Sequence, residues 1–407
     1  MNYKIDQKLI LGIIIILLIL TIFILSISPI LAYLICLIFL AMGVGVGVPP
    51  LRILLSLIAI WGMIFTVGSK AYNLSNSSDD FSNSYLPLYY TLNSSDLFSN
   101  VFSENYEYLL PILWKLINFI NGGDLTPVGL MVYISGFSIL LFYFWLELFG
   151  LKNIPDTRKT LCVAFSLGFF QFLMPIQYMR QFISLIFILY SFSLWDKNKK
   201  ISFLFFILAF FSHISAILIF PLIKILFSNN NKIKNIVFIF FLILTLFYSV
   251  IFPLVAKIGS SGLFYKLQYY LEVSSDRGNT YGYFKFLFLA LIASKFYFVD
   301  DLELQKYKNF LYSGTIIFII LFPIPELPLR LMGILIYILI GYLIFLSTYR
   351  MGMISRYLFV LYVILMGYKC IVLDSYSRMV NTDADFMSLW YSYPWFGKNF
   401  FYYLSYL

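Results

Sequence analysis

Charge is scarce in this chain: only 12% of its 407 residues are Asp, Glu, Lys or Arg, about half of what a soluble domain carries. Histidine occurs once, as His213, and cysteine three times, as Cys36, Cys162 and Cys370. No metal site can be built on one histidine, and the cysteines lie in apolar runs without metal-like spacing. Neither a zinc centre nor a disulfide framework is supported, and the cysteines read as small buried hydrophobes. Walker, dinucleotide, zincin and nucleophile-elbow signatures are missing. So are low-complexity linkers, a soluble domain, and the internal repeats of inverted-repeat transporters. No metal and no cofactor is expected.

What is present is apolar. Hydrophobic residues make up 61% of the chain and the mean hydropathy is +0.90. No water-soluble core can bury that much apolar surface, so the bilayer must be the solvent. Runs of about 20 apolar residues recur, each long enough to cross the hydrocarbon. Only helices and closed barrels satisfy the backbone in lipid, and continuous, non-alternating runs select helices. The expected class is an all-α polytopic integral membrane protein. Spans are expected over roughly 9–26, 29–47, 51–70, 128–149, 160–176, 180–195, 235–254, 283–299, 309–323, 329–348 and 356–373. The net charge of +9 reports Lys and Arg of cytoplasmic loops facing anionic lipid, not a nucleic-acid partner. Lys4 and Lys8 precede an apolar run as in a signal peptide. Further spans come at once without a clear cleavage site, so this reads as an uncleaved first helix.

Three stretches are not simple spans. Residues 73–124 form a large acidic outer loop rich in Ser, Asn and Tyr, with an apolar piece (109–120) too short to span. Residues 255–282 form a second loop with Lys257, Lys266, Glu272, Asp276 and Arg277. The tail, 374–407, is dense in Tyr, Trp and Phe, as expected of an outer interfacial segment.

Orientation comes from the basic clusters. With the N-terminus inside, "PPLR" (49–52), "LKNIPDTRK" (151–159) and "DKNKK" (196–200) are all cytoplasmic, as positive-inside requires. If 201–226 crossed once, Lys224, Lys232 and Lys234 would fall outside, and the groups at 300–308 and 348–356 would invert. A re-entrant half-helix pair over 201–226 repairs all of this, with His213 at its tip between Ser212 and Ser215. Non-helical backbone at that depth must be buried in protein or line a wet cavity. The result is eleven spans in one transmembrane domain (1–407), N-terminus cytoplasmic and C-terminus outside. The alternative is one long span that breaks the charge rule.

Ionisable groups at membrane depth usually face the bundle interior or water. Gln177, Arg180, Gln181 and Ser184 fall at i, i+3, i+4 and i+7, one face of a continuous helix. Arg180, expected at the outer surface, either anchors a diphosphate through its planar fork or snorkels to headgroups. Arg330 either repeats that role or pairs with Glu326. Arg277 is a third cation, or a solvated loop charge. In the outer loop, Asp79, Asp80, Tyr85, Tyr89 and Tyr90 precede Glu104, Glu107, Tyr108 and Trp114. Rings beside carboxylates suit sugars, and a carboxylate can take the proton of a sugar hydroxyl. The plainer reading is a polar loop with interfacial tyrosines. His213 is either a packed, hydrogen-bonded interior residue or a proton acceptor or phosphate donor.

Four pieces in order resemble the EpsG-like branch of the Wzy polysaccharide polymerases. They are Asp80 with Tyr85 and Tyr89 in "DFSNSYLPLYY"; Glu107-Tyr108 before a short apolar helix; "MRQFISLIFILYSFSLWDKNKKISFLFFILAFFSHISAILIF"; and "LPLRLMGILIY". The third is the most specific: Arg-Gln opening a helix, a short basic loop, then Phe-x-His-x-Ser-Ala. Ser184 stands where the family usually has Ala shortly after Arg-Gln. The resemblance implies a GT-C-like, Wzy-type glycosyltransferase in the cytoplasmic (inner) membrane. It would join polyprenyl-diphosphate-linked oligosaccharide repeats at the outer face, for O-antigen, capsule or exopolysaccharide. It implies Arg180, His213, Asp80 and Glu107 as catalytic, and Arg330, Gln181, Gln177, Arg277, Tyr85 and Tyr89 as substrate-binding. The partners it implies are the lipid-linked oligosaccharide, membrane lipid, a chain-length regulator and a flippase. An O-antigen ligase with the same donor, a lipid-linked oligosaccharide flippase, and a structural subunit of a synthesis complex are the competing readings.

Overall fold

The structure, a computed structural model, describes residues 12, 15–16, 19–25, 28–68, 79–93, 107–258, 278–324 and 326–372. The tail 374–407, loop residues 259–277 with Arg277, outer-loop residues 73–78 and 94–106 with Glu104, the N-terminal Lys4 and Lys8, and residues 9–11, 13–14, 17–18 and 26 of the first expected span lie outside the described residues; within that span, 19–25 are helical. Every regular element among the described residues is a helix. In chain order they are α1 (Pro29–Met42), α2 (Pro49–Gly68), α3 (Leu86–Asn93), α4 (Leu109–Asn121), α5 (Pro127–Trp145), α6 (Asp156–Gly168), α7 (Met174–Gln177) and α8 (Met179–Leu194). Next come α9 (Lys199–Ser212), α10 (Ala216–Phe227), α11 (Asn231–Ile258), α12 (Gly278–Tyr297), α13 (Gln305–Leu321), α14 (Leu327–Leu331), α15 (Ile340–Ser347) and α16 (Met353–Val372). Wide π turns extend α5 (Leu146–Gly150) and precede α3 (Phe81–Tyr85). Pro49–Gly68, Pro127–Gly150 and Asn231–Val250 are each long and apolar enough to cross a bilayer. The chain divides into two compact units, Met1–Ile183 with Gly352–Leu407, and Ser184–Met351.

In the first unit α1 packs along α2. Gly62 makes the approach close: a Cβ there would stand 2.6 Å from the Pro29 carbonyl oxygen, so any side chain would push the helices apart. The Tyr33 hydroxyl donates to the Leu167 carbonyl oxygen (3.0 Å), serving an acceptor that the end of α6 leaves without an intrahelical donor. Phe359 of α16 stacks on Phe165 of α6 at 4.4 Å. At one end of α2, Arg52 pairs with Glu147 (2.8 Å), and the Tyr143 hydroxyl donates to the same carboxylate (2.7 Å). Residues 127–150 are 24 helical residues, about 36 Å long, so this ion pair lies a full span length from the Thr126 cap of α5. Cys36 and Cys162 are buried and free, in keeping with their apolar surroundings.

The expected span 160–176 is not one helix. α6 ends at Gly168, residues 169–173 are irregular, and α7 begins with Pro175 in its first turn. Pro175 has no N–H for the Gln171 carbonyl and would collide with it in a continuous helix. The irregular backbone is tolerated because Phe169, Phe170, Gln171, Phe172 and Leu173 are all buried in protein, the condition lipid imposes on such backbone.

In the second unit two helical hairpins succeed each other. Ser191 and Ser202 bond to each other across α8 and α9, and the Ser184 hydroxyl donates to the Ala209 carbonyl oxygen (2.9 Å). Both pairs are centred on the turn at 196–198, as an antiparallel pair requires. Phe206 and Phe220, each seven residues from His213, meet at 5.0 Å across α9 and α10. Lys224 lies 3.7 Å from the Trp195 ring centroid. Residues 201–226 therefore run out from the Trp195 turn, reverse at His213, and return to it. Phe227 stacks on Phe310 at 4.2 Å, joining α10 to α13. Of the three long apolar helices, Asn231–Val250 covers least of its surface, 11% of its apolar window.

Candidate functional site

The site grows from the break at Tyr178. That residue has φ −123 and ψ 45, capping α7 before α8 starts at Met179. The helical spacing of Gln177 with Arg180, Gln181 and Ser184 is thereby broken. Gln177 closes α7, and the Tyr178 break puts it on a different helix from Arg180.

Gln177 meets the start of the outer loop instead. Its Nε2 donates to Asp79 Oδ1 (2.8 Å), and its Oε1 accepts from the Asp80 backbone N–H (3.2 Å). Ser82 Oγ donates to Asp79 Oδ2 (2.5 Å). Asp79 is fully buried, while Asp80 is half-buried. The adjacent pair of acids thus divides its work. Asp79 ties the loop to α7, and Asp80 keeps a partly exposed side chain at the same junction. Sequence alone offered no way to choose between neighbouring aspartates; a partner 98 residues away makes the distinction.

Arg180, in the first turn of α8, donates from Nη1 to the Glu107 carboxylate. Glu107 is nearly covered, with 5% of its side chain exposed against 25% for Arg180. The guanidinium carbon stands 5.7 Å from the Tyr85 ring centroid, within cation–π range. The guanidinium Nε is buried and makes no hydrogen bond. Gln181, the next residue, is buried. An arginine fork held over a ring, with one edge on a carboxylate, suits exchange of that carboxylate for a phosphate of similar geometry.

Tyr89 supports the loop that brings Glu107 here. Its hydroxyl donates to Asn118 Oδ1 (2.6 Å) and accepts from the Leu125 N–H (2.6 Å). Its ring meets Trp114 edge-on at 5.5 Å. One fully buried tyrosine therefore joins α3, α4 and the entry to α5. These contacts give Tyr89 a part in the scaffold of the loop.

His213 and Arg330 belong to the second unit. His213 ends α9 in extended geometry (φ −158, ψ 127), and its N–H donates to the Ala209 carbonyl oxygen (3.0 Å). That oxygen is the one Ser184 also reaches. The Ser215 N–H donates to His213 Nδ1 (3.1 Å). With Nδ1 accepting, the neutral ring carries its proton on Nε2. The imidazole therefore caps the turn through Nδ1 and carries its proton on Nε2. Arg330 is half-buried on the short helix α14. The preceding Glu326 has φ +58, the one non-glycine in the left-handed region among the described residues. Such a conformation persists only where surrounding structure holds it.

The family model of the EpsG family matches residues 53–393, which takes in all of these positions. No curated protein matches the chain, and no solved structure matches it.

Proposed function

The chain belongs to the EpsG family, a membrane family of polysaccharide polymerases, and from that premise we propose that it joins polyprenyl-diphosphate-linked oligosaccharide repeats by glycosyl transfer. The reaction runs at the outer face of the cytoplasmic membrane. An acceptor sugar hydroxyl at the non-reducing end of a new repeat attacks the anomeric carbon of the growing chain. The bond from that carbon to the diphosphate oxygen breaks, polyprenyl diphosphate leaves, and the hydroxyl proton passes to a carboxylate. Negative charge grows on the leaving group, so a pre-positioned cation lowers the barrier.

The observation that carries this reading is Arg180, held over Tyr85 with Glu107 on one edge and an unbonded Nε. The donor diphosphate takes the place of the Glu107 carboxylate on the fork. The proton acceptor is then the released Glu107 or the partly exposed Asp80. Asp79 and Gln177 hold the loop in register; Arg330 is the second choice for the diphosphate anchor and Arg277 the third. His213 keeps the α9–α10 reversal in shape through its Nδ1 bond to the Ser215 N–H.

The proposed topology has eleven spans with a cytoplasmic N-terminus, an outer C-terminus and a re-entrant α9–α10 pair. The return of Lys224 to Trp195 supports the pair. The product is O-antigen, capsule or exopolysaccharide, made alongside a flippase and a chain-length regulator.

The test is a surface-glycan ladder from the native strain, a deletion, and the deletion carrying wild type or Arg180→Ala at matched protein level. Collapse of the ladder to one repeat on deletion, unrestored by Arg180→Ala, is expected. Loss of all surface repeats would turn the reading to a flippase or a ligase. Full-length ladders from Arg180→Ala would remove the diphosphate anchor.

A further inference from the structure

α4 is apolar on both of its faces, and protein covers only one. Leu110, Pro111 and Trp114 are buried, and Asn118 on the same side is tied to Tyr89. Ile112, Leu116, Phe119 and Ile120 recur at i, i+4, i+7 and i+8, which is the opposite face. They are exposed by 49%, 50%, 83% and 70%. An uncovered stripe of this kind needs an apolar neighbour. The helix has 13 residues, about 20 Å at 1.5 Å each, too short to cross about 30 Å of hydrocarbon.

The neighbouring span limits where α4 can sit. Gly122 ends α4, and Pro127 begins a helix long and apolar enough to span. Five residues, 122–126, reach at most about 18 Å. The Tyr89 hydroxyl shortens that leash by bonding both Asn118 in α4 and the Leu125 N–H. The two most exposed apolar side chains of α4, Phe119 and Ile120, are therefore held close to the end of a helix long and apolar enough to span. Lys115 sits at the edge of the stripe by helical spacing, where an ammonium can reach lipid phosphates.

We infer that α4 lies flat in the bilayer surface, with Ile112, Leu116, Phe119 and Ile120 in the boundary between headgroups and acyl chains. The occupant of the exposed face is lipid, continuous with the lipid around the neighbouring span. Glu107 stands two residues before α4, so this anchor holds the Arg180–Glu107 pair near headgroup depth. A lipid-borne diphosphate would present itself at that depth; this last step rests on the proposed function, whereas the anchor does not.

The measurement reads depth, independent of polymerisation. An environment-sensitive fluorophore is placed at Phe119→Cys, and separately at Asp124→Cys, in the full chain reconstituted in nanodiscs. Wild type labelled in parallel corrects for native cysteines. Both positions are exposed, so neither substitution disturbs the core. The probe at 119 should emit at shorter wavelength than at 124. Lipids spin-labelled high on the acyl chain should quench it at least twofold more, and aqueous iodide at least twofold less. Equal iodide quenching at the two positions would overturn the inference, since the face would then be wet. Protection at 119 from both quenchers would also overturn it, because protein rather than lipid would cover the face.

Discussion

Replacing Arg180 by Gln separates its structural role from its chemical one. The single change leaves the Glu107 carboxylate, 5% exposed, without its counter-charge. Removing one partner of a buried pair costs about 3–5 kcal/mol; water reaches a quarter of the Arg180 side chain, which brings the expected loss here to about 2–3 kcal/mol. Glu107→Gln keeps an acceptor for the guanidinium and should cost about 1 kcal/mol. In the double variant two amides face each other with no buried charge, so stability should return to within about 1 kcal/mol of wild type. Polymerisation should not return with it. Loss of one fixed donor at a developing charge removes about 100- to 1,000-fold in rate. Denaturation in detergent gives the first quantity, and glycan ladders at matched protein level give the second. Glu107→Gln alone shows which carboxylate takes the proton: retained ladders assign it to Asp80, lost ladders to Glu107. Ladders restored in the double variant together with stability would refute the argument, because Arg180 would then serve only to neutralise Glu107.

Contacts elsewhere set further expected outcomes. Glu147→Ala leaves Arg52 buried and unpaired, and should cost about 3 kcal/mol; Arg52→Met in the same chain should recover most of it in the same denaturation assay. Asp79→Ala and Gln177→Ala should each cost about 1–3 kcal/mol, as a buried partner is left unbonded. Their double variant should cost little more than either single, because both break the same junction; additive losses in a double-mutant cycle would contradict that junction. His213→Asn keeps a side-chain acceptor for the Ser215 N–H and should fold, whereas His213→Phe should not reach wild-type levels in the membrane. If Asn also sustains full ladders, His213 acts as a cap and its Nε2–H is not needed.

The candidate site residues Arg180, His213 and Arg330 lie at breaks in helical order. Arg180 comes just after the Tyr178 break, His213 ends α9, and Arg330 comes just after the left-handed Glu326. A regular helix in lipid uses all its backbone groups internally, so a polar side chain that must face another element is most readily aimed from an end. The loop acids obey the same logic from the other side. They come to Arg180 through a chain of tertiary contacts: Asp79 to Gln177, Glu107 to Arg180, and Tyr89 to Asn118 and Leu125.

The helical class could be read from the residues because hydrocarbon permits so few backbone arrangements, and long apolar runs leave helices as the answer. The reversal at His213 was legible in the distribution of lysines, since charge records the side of the membrane even where hydropathy cannot detect a turn. Arg180 and Glu107 were legible as candidates from charge and motif. That they pair was not, because their 73-residue separation leaves no trace in any local pattern. The choice of Asp79 over Asp80 for the buried junction, the loss of Gln177 from the Arg180 helix face, and the Arg52–Glu147 pair depended on which helices became neighbours. Periodicity reports the solvent around a segment; only packing selects the partner of a polar group, because a hydrogen bond requires two atoms to meet within about 3 Å.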